Sequence, residues 1–283
     1  MTDNVTTPDA PPPKVTVPEV RSRKRSRGDR PLVMLTAYDT PGARIVDAAG
    51  VDIILVGDSV ANAVLGHADT LQVDIGVMAH HVAAVSRAEP RALVVGDLPW
   101  LSYHVSPEDA VRNAAVLVRA GAGAVKLEGG RVRLEVVEAL VNAQIPVMGH
   151  LGLTPQSVLA MGGYRVQARD TAAAEALRND AKALAAAGCF AIVLEGVPDV
   201  VAGRVTDEVD VPTIGIGAGA GCDGQVLVFH DLLGLREGAP PKFVRQYADL
   251  TAVAVTAVAS WAADVRGGTF PSEAETYHLP PGH

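Results

Sequence analysis

Four short apolar runs in the sequence each close on an acid: IILVGD at Asp58, LVVGD at Asp97, AVKLE at Glu128 and AIVLE at Glu195. Each run is rich in Val, Ile or Leu and bounded by Gly or Pro, the pattern of a buried strand. A carboxylate at the end of such a strand is expensive to bury without a partner. For one acid alone, capping the next helix or pairing with a basic residue is account enough. Four at matching places in successive units point to a shared object, most simply a divalent cation and the ligand it holds. Lys126 and Glu128 are two residues apart and so share a face, while Val125 and Leu127 turn the other way.

The donors are hard oxygens, and neither CxxC nor HxxxH competes with them, which favours Mg²⁺ over Zn²⁺. An ion held by Asp58, Asp97 and Glu128 beside Lys126 suits a small acid bearing a carboxylate and an adjacent carbonyl. The ion would polarise the carbonyl, acidify the neighbouring C–H and stabilise the enolate. Glu195 then has no metal to hold and, in apolar surroundings, becomes the candidate base. His150 in VMGHLGL fits either a donor to an oxyanion or an ordinary satisfied strand-end histidine. Ser59 fits either a contact to a bound carboxylate or a helix cap. The loop GGYRVQAR (162–169), hinged by glycine and carrying Arg165 and Arg169, reads as a lid over an anionic substrate or as a plain surface excursion. GAGCDG (219–224) satisfies GxGxxG, but QVLVFHD follows where a dinucleotide site needs a helix, so no nucleotide site is expected there.

These residues must be positioned by a regular frame. From residue 31 onward, PLVMLTAYD, VDIILVGDS, ALVVGDLP, GAVKLEGG, IPVMGHLG, CFAIVLEGV, VPTIGIGAG and QVLVFHD make eight strand-like runs, with helical segments between most of them. Such alternation means parallel pairing, and eight units in 283 residues predict a closed (β/α)8 TIM barrel with its site at the carboxyl ends of the strands. At 48% hydrophobic and only 4% aromatic, the core must be aliphatic. The expected organisation is a disordered tail over 1–14, one barrel domain over 15–270 and a C-terminal tail over 271–283. A first helix is expected from Thr16 or Val17 to Gly28, its six basic residues between Arg21 and Arg30 forming a solvated face. The last helix, Phe243 to about Asp264, is Ala-rich and fits either a closing helix or a packing surface for a neighbouring subunit. A net charge of −8 argues against a non-specific nucleic-acid binder. Two cysteines make no disulfide framework, and no apolar run reaches membrane-spanning length. A cytoplasmic protein with a small-molecule partner is expected.

Read together, MLTAYD (34–39), VGDS (56–59), DLP (97–99), VKLEGG (125–130), GHLGLTPQSV (149–158), GGYRVQ (162–167), IGIGAG (214–219) and CDGQVLV (222–228) resemble the ketopantoate hydroxymethyltransferases, also called 3-methyl-2-oxobutanoate hydroxymethyltransferases. The likeness runs from about residue 15 to near 275. It implies a barrel of the phosphoenolpyruvate/pyruvate type with an extra N-terminal helix, usually assembled as a homodecamer. The implied reaction transfers a hydroxymethyl group from 5,10-methylenetetrahydrofolate to 3-methyl-2-oxobutanoate through a Mg-stabilised enolate, making ketopantoate for pantothenate and coenzyme A synthesis. By similarity Asp58, Asp97 and Glu128 fall on Mg²⁺ positions. Asp58, Ser59, Asp97 and Lys126 fall on oxo-acid contacts, with Glu195 as proton acceptor and Lys126 and His150 beside it. Ala168 stands where relatives commonly have glycine. The rival enzyme is a Mg-dependent lyase or mutase of the isocitrate lyase and phosphoenolpyruvate mutase type, against which stands the absence of a KKCGH-like loop.

Overall fold

The structure is a computed structural model, and it describes residues 13–24, 30–236 and 238–280. Eight strands, β1 (Leu32–Thr36), β2 (Ile53–Val56), β3 (Leu93–Asp97), β4 (Ala124–Glu128), β5 (Val147–Gly152), β6 (Ala191–Glu195), β7 (Thr213–Ile216) and β8 (Gly224–Leu227), pair in parallel and in chain order, and β8 closes on β1. The helices are α1 (Val17–Ser22), α2 (Thr40–Ala48), α3 (Val60–Ala63), α4 (Ile75–Ser86), α5 (Pro107–Arg119), α6 (Leu134–Asn142), α7 (Val158–Met161), α8 (Thr171–Ala186), α9 (Asp199–Glu208), α10 (Phe229–Leu233) and α11 (Leu250–Gly267). The expected TIM barrel is therefore present, strand for strand.

Alternation explains how one wall serves both core and site. Leu93, Val95 and Asp97 share the inner face of β3, and the first two join Met34, Ile53, Leu55, Met148, Val193, Ile214 and Val226 in the aliphatic interior. At the carboxyl end the same layers turn polar: Asp97 lies in register with Lys126, Glu128 with His150, and Gly152 with Glu195. The helix entrances have caps of their own. Asp39, Asp74, Ser106 and Asp170 accept backbone N–H groups at the starts of α2, α4, α5 and α8. None of the four strand-end acids is a cap.

The first helix is shorter than expected. It is entered through Thr16 and stops at Ser22, and residues 25–29 of the basic run lie outside the described residues, as do residues 1–12 of the expected tail. The solvated reading is overturned for Arg23 and Lys24, which turn inward. Arg23 Nη1 donates to Asp52 Oδ1 at 2.6 Å, and its Nη2 donates to the carbonyls of Arg30 and Pro31. Lys24 Nζ donates to Asp223 Oδ2 at 2.8 Å and to the Thr206 carbonyl at 2.6 Å. Asp52 and Asp223 immediately precede β2 and β8, so these pairs, with Val15 and Val20 packed into the interior cluster, plug the amino end of the barrel. A buried charge needs a partner, and the basic pair meets that need for two inward acids at once.

The described chain divides into two compact units, one ending at Phe229 and one beginning at His230. In the second, α11 begins at Leu250 rather than Phe243, because Asp249 caps it by accepting from Ala252 N, and it ends at Gly268 in the left-handed conformation. None of its residues is buried, and Val253, Val255, Val258 and Trp261 are exposed. Among the described residues no helix is long and apolar enough to cross a membrane.

Lys24→Met removes the cationic partner that Lys24 gives Asp223, whose side chain is fully buried. Loss of one partner of such a pair costs about 3–5 kcal/mol. The urea midpoint is expected to fall accordingly, with Mg²⁺ affinity unchanged, which denaturation and calorimetry on the same sample would check.

Candidate active site

At the carboxyl mouth the structure brings Asp58, Asp97, Lys126, Glu128, His150 and Glu195 together. Asp58 lies just past β2, where its backbone N donates to Asp97 Oδ2 at 3.1 Å. The other oxygen of Asp97 pairs with Lys126 Nζ at 2.9 Å. Lys126 Nζ also lies 3.3 Å from His150 Nδ1, which in turn lies 3.4 Å from Glu128 Oε1. His150 Nε2 sits 3.2 Å from Glu195 Oε2, close enough for an ion pair although too bent for a hydrogen bond. Glu195 thus meets an imidazole rather than the apolar surroundings expected of it. With 17% of its side chain exposed it is also the most open acid of the set.

Ser59 occupies the N-cap position of α3 without using its side chain there. Its hydroxyl is instead 2.8 Å from the Tyr38 hydroxyl, and the Tyr38 carbonyl is 2.7 Å from His81 Nδ1. Burial, first of all, raises the Tyr38 phenol well above its ordinary range, so it stays a neutral donor beside the acids.

Gln156, in the turn that follows β5, had no role assigned from the sequence. Its Nε2 donates to Asp58 Oδ2 at 2.9 Å and to the Leu98 carbonyl at 3.0 Å, and its backbone N donates to Glu128 Oε2 at 3.1 Å. Tyr103, equally unforeseen, donates its hydroxyl to Gln156 Oε1 at 2.6 Å and accepts from Glu128 N at 3.1 Å. Nothing in periodicity or spacing marks these residues. The only signal was the position of Gln156 within GHLGLTPQSV.

The loop 162–169 passes over the mouth. Gln167 N donates to the Gly196 carbonyl at 2.8 Å, pinning the loop to the turn after β6. Tyr164 is 52% exposed, and its phenol is raised by partial burial and then by Asp69, Asp58, Glu195 and Glu128, so it lies within the field of the site acids. Arg165 and Arg169 are exposed. Ala168, at φ 53, holds the left-handed conformation that glycine adopts freely and alanine only at about 1–2 kcal/mol.

Among the described residues no three His, Cys, Asp or Glu side chains form a ready-made metal cluster. Asp58, Asp97 and Glu128 nevertheless lie at one mouth, with Glu128 Oε2 accepting from Gln156 N and its Oε1 3.4 Å from His150. Asp58 keeps Oδ1 uncommitted, and Asp97 is its immediate neighbour. Such hard carboxylates, completed by water and substrate oxygens, suit Mg²⁺.

A family model described as ketopantoate hydroxymethyltransferase matches residues 14–273. The chain is 56% identical over 267 residues to 3-methyl-2-oxobutanoate hydroxymethyltransferase 2 of Bradyrhizobium diazoefficiens, covering 94% of this chain and 90% of that one. It is 56% identical over 260 residues to 3-methyl-2-oxobutanoate hydroxymethyltransferase of Ignicoccus hospitalis, covering 92% and 98%. Among solved structures it is similar in fold to 2,3-dimethylmalate lyase (TM-score 0.56, 18% identity, 95% of this chain and 93% of that one). Phosphonopyruvate hydrolase in complex with oxalate and Mg²⁺ is also similar in fold (TM-score 0.59, 13% identity, covering 93% and 92%).

Charge at the mouth is unbalanced. Burial, then the Asp97 and Glu128 carboxylates, push Asp58 up to about 8 in the bare protein. Burial also raises Asp97, against the pull of Lys126. An unfolded aspartate titrates near 3.9. Between those values the folded chain holds a proton the unfolded chain has lost, so stability falls as pH rises from about 4 to about 8 and then levels. Urea midpoints measured in chelator are expected to show this decline, and Asp58→Asn is expected to flatten it.

Proposed function

The chain belongs to the ketopantoate hydroxymethyltransferase family, and from that premise we propose that it carries a hydroxymethyl group from 5,10-methylenetetrahydrofolate to 3-methyl-2-oxobutanoate, yielding ketopantoate for pantothenate and coenzyme A synthesis. Membership makes it a one-carbon transferase acting on a small molecule. The observation that carries the residue roles is the division of burial at the mouth. Asp58, Asp97, Glu128 and Lys126 are buried and locked to one another, while Glu195 stands partly open beside His150.

In this reading Asp58, Asp97 and Glu128 would hold Mg²⁺, with Glu128 anchored between His150 and Gln156. When bound, the ion supplies a Lewis acid that polarises the keto oxygen and balances the charge developing there. Lys126, whose ammonium is kept protonated by Asp97, Glu128 and Asp58 in spite of burial, faces the oxo-acid carboxylate together with Asp58 and Ser59. Glu195 takes the proton from C3. Burial and the Lys126 charge push His150 down, but Glu128 and Glu195 outweigh them and raise it to about 9. The cationic imidazole lies 3.2 Å from Glu195 and orients that carboxylate by charge. The carbon nucleophile left at C3 then meets the one-carbon unit under the loop 162–169.

The reading extends to assembly. The exposed apolar residues of α11 would be covered by a second copy of the chain, in keeping with a homo-oligomer, a decamer by family likeness.

The test is solvent deuterium exchange into 3-methyl-2-oxobutanoate with Mg²⁺, followed by addition of methylenetetrahydrofolate. Glu195→Gln is expected to keep Mg-dependent binding of the oxo acid while its exchange falls by at least about a hundredfold. Asp97→Ala is expected to weaken both. Full exchange by Glu195→Gln would remove it as the base, and exchange without ketopantoate would favour lyase-type or mutase-type chemistry.

A further inference from the structure

Gln156 is buried, and every polar atom of its side chain and its backbone N are spoken for. The amide nitrogen serves Asp58 Oδ2 and the Leu98 carbonyl, the amide oxygen accepts from Tyr103, and the backbone N serves Glu128 Oε2. The amide has one workable orientation. Turned over, its oxygen would face Asp58 Oδ2 and the Leu98 carbonyl, both acceptors, at a buried position. Tyr103 enforces that orientation from the far side, and its hydroxyl is itself aligned by Glu128 N. One amide therefore spans the ends of β2, β3 and β4 from the turn after β5.

The consequence is selective. Asp58 is held by one oxygen, which leaves Oδ1 for an incoming ion. We infer that Gln156, oriented by Tyr103, is a positioning residue that presents a single Asp58 oxygen to Mg²⁺. The inference rests on the metal-assisted reaction proposed above and adds the group that builds its donor geometry. Gln156 touches neither substrate nor reacting atoms in this scheme and acts through Asp58.

Calorimetric titration of the full-length protein with MgCl₂ alone reads the effect directly. Removing a hydrogen bond to a charged acceptor predicts that Gln156→Leu weakens Mg²⁺ binding by about tenfold or more. Raising Mg²⁺ should then restore most of kcat, a rescue that a merely structural defect would not show. Tyr103→Phe keeps the amide but frees its orientation, and is expected to weaken Mg²⁺ binding by a few-fold. A folded Gln156→Leu protein with wild-type Mg²⁺ affinity would overturn the inference. If that variant does not fold, unchanged affinity in Tyr103→Phe overturns it and weakened affinity supports it. Failure of the unaltered protein to bind Mg²⁺ would overturn the metal-assisted reaction itself, a result separate from either variant.

Discussion

The mouth of this barrel gathers more negative than positive charge in a place where water cannot screen it. Asp58, Asp97 and Glu128 share one buried ammonium, Lys126, and burial, then the Asp97 and Glu128 carboxylates, raises Asp58 to about 8. Carboxylates at such close quarters repel one another strongly in a low-dielectric setting. The fold tolerates this because each strand that carries an acid is fixed on both sides by its neighbours, so the side chains cannot simply move apart. A divalent cation would discharge the same strain that the fold stores. The site's affinity for a cation and its instability without one are thus two faces of one arrangement.

The opposite end of the barrel handles charge differently. There Asp52 and Asp223 are matched by Arg23 and Lys24, with remaining lone pairs taken up by backbone N–H groups of Val33 and Thr213. The contrast matters because both ends hold buried acids at strand termini, and residue type alone does not distinguish them. What distinguishes them is completeness: a satisfied network closes the barrel, and an unsatisfied one remains open to chemistry.

Strand order, the closed barrel and the acids at its mouth were legible in the sequence because period-two alternation and Gly or Pro boundaries act locally, and local patterns survive in one dimension. The caps at Asp39, Asp74, Ser106 and Asp170 belong to the same legible class. Arg23 and Lys24 were misread because their partners are distant in sequence, Asp223 by nearly the length of the barrel, and a basic run carries no mark of which members turn inward. Gln156 and Tyr103 were missed for a related reason. A glutamine becomes a structural hub only through what surrounds it, and its four partners come from just past β2, from the loop between β3 and α5, and from the end of β4.

Holding a cation and taking a proton from carbon place opposite demands on a carboxylate. In the roles proposed, the metal ligands should be held still, which the hydrogen bonds and ion pair at Asp58 and Asp97 do. A base must accept a proton from the substrate and later surrender it, so it needs a partner that tolerates both states and a route to solvent. Glu195 has the imidazole of His150 for the first and its partial exposure for the second. The loop 162–169 lies beside it, because Gln167 N donates to the Gly196 carbonyl, one residue beyond Glu195. In this chain the loop carries Ala168 in a conformation suited to glycine, so local backbone strain sits next to that anchor. Strain at this point lowers the cost of breaking the backbone hydrogen bond that ties the loop to the end of β6.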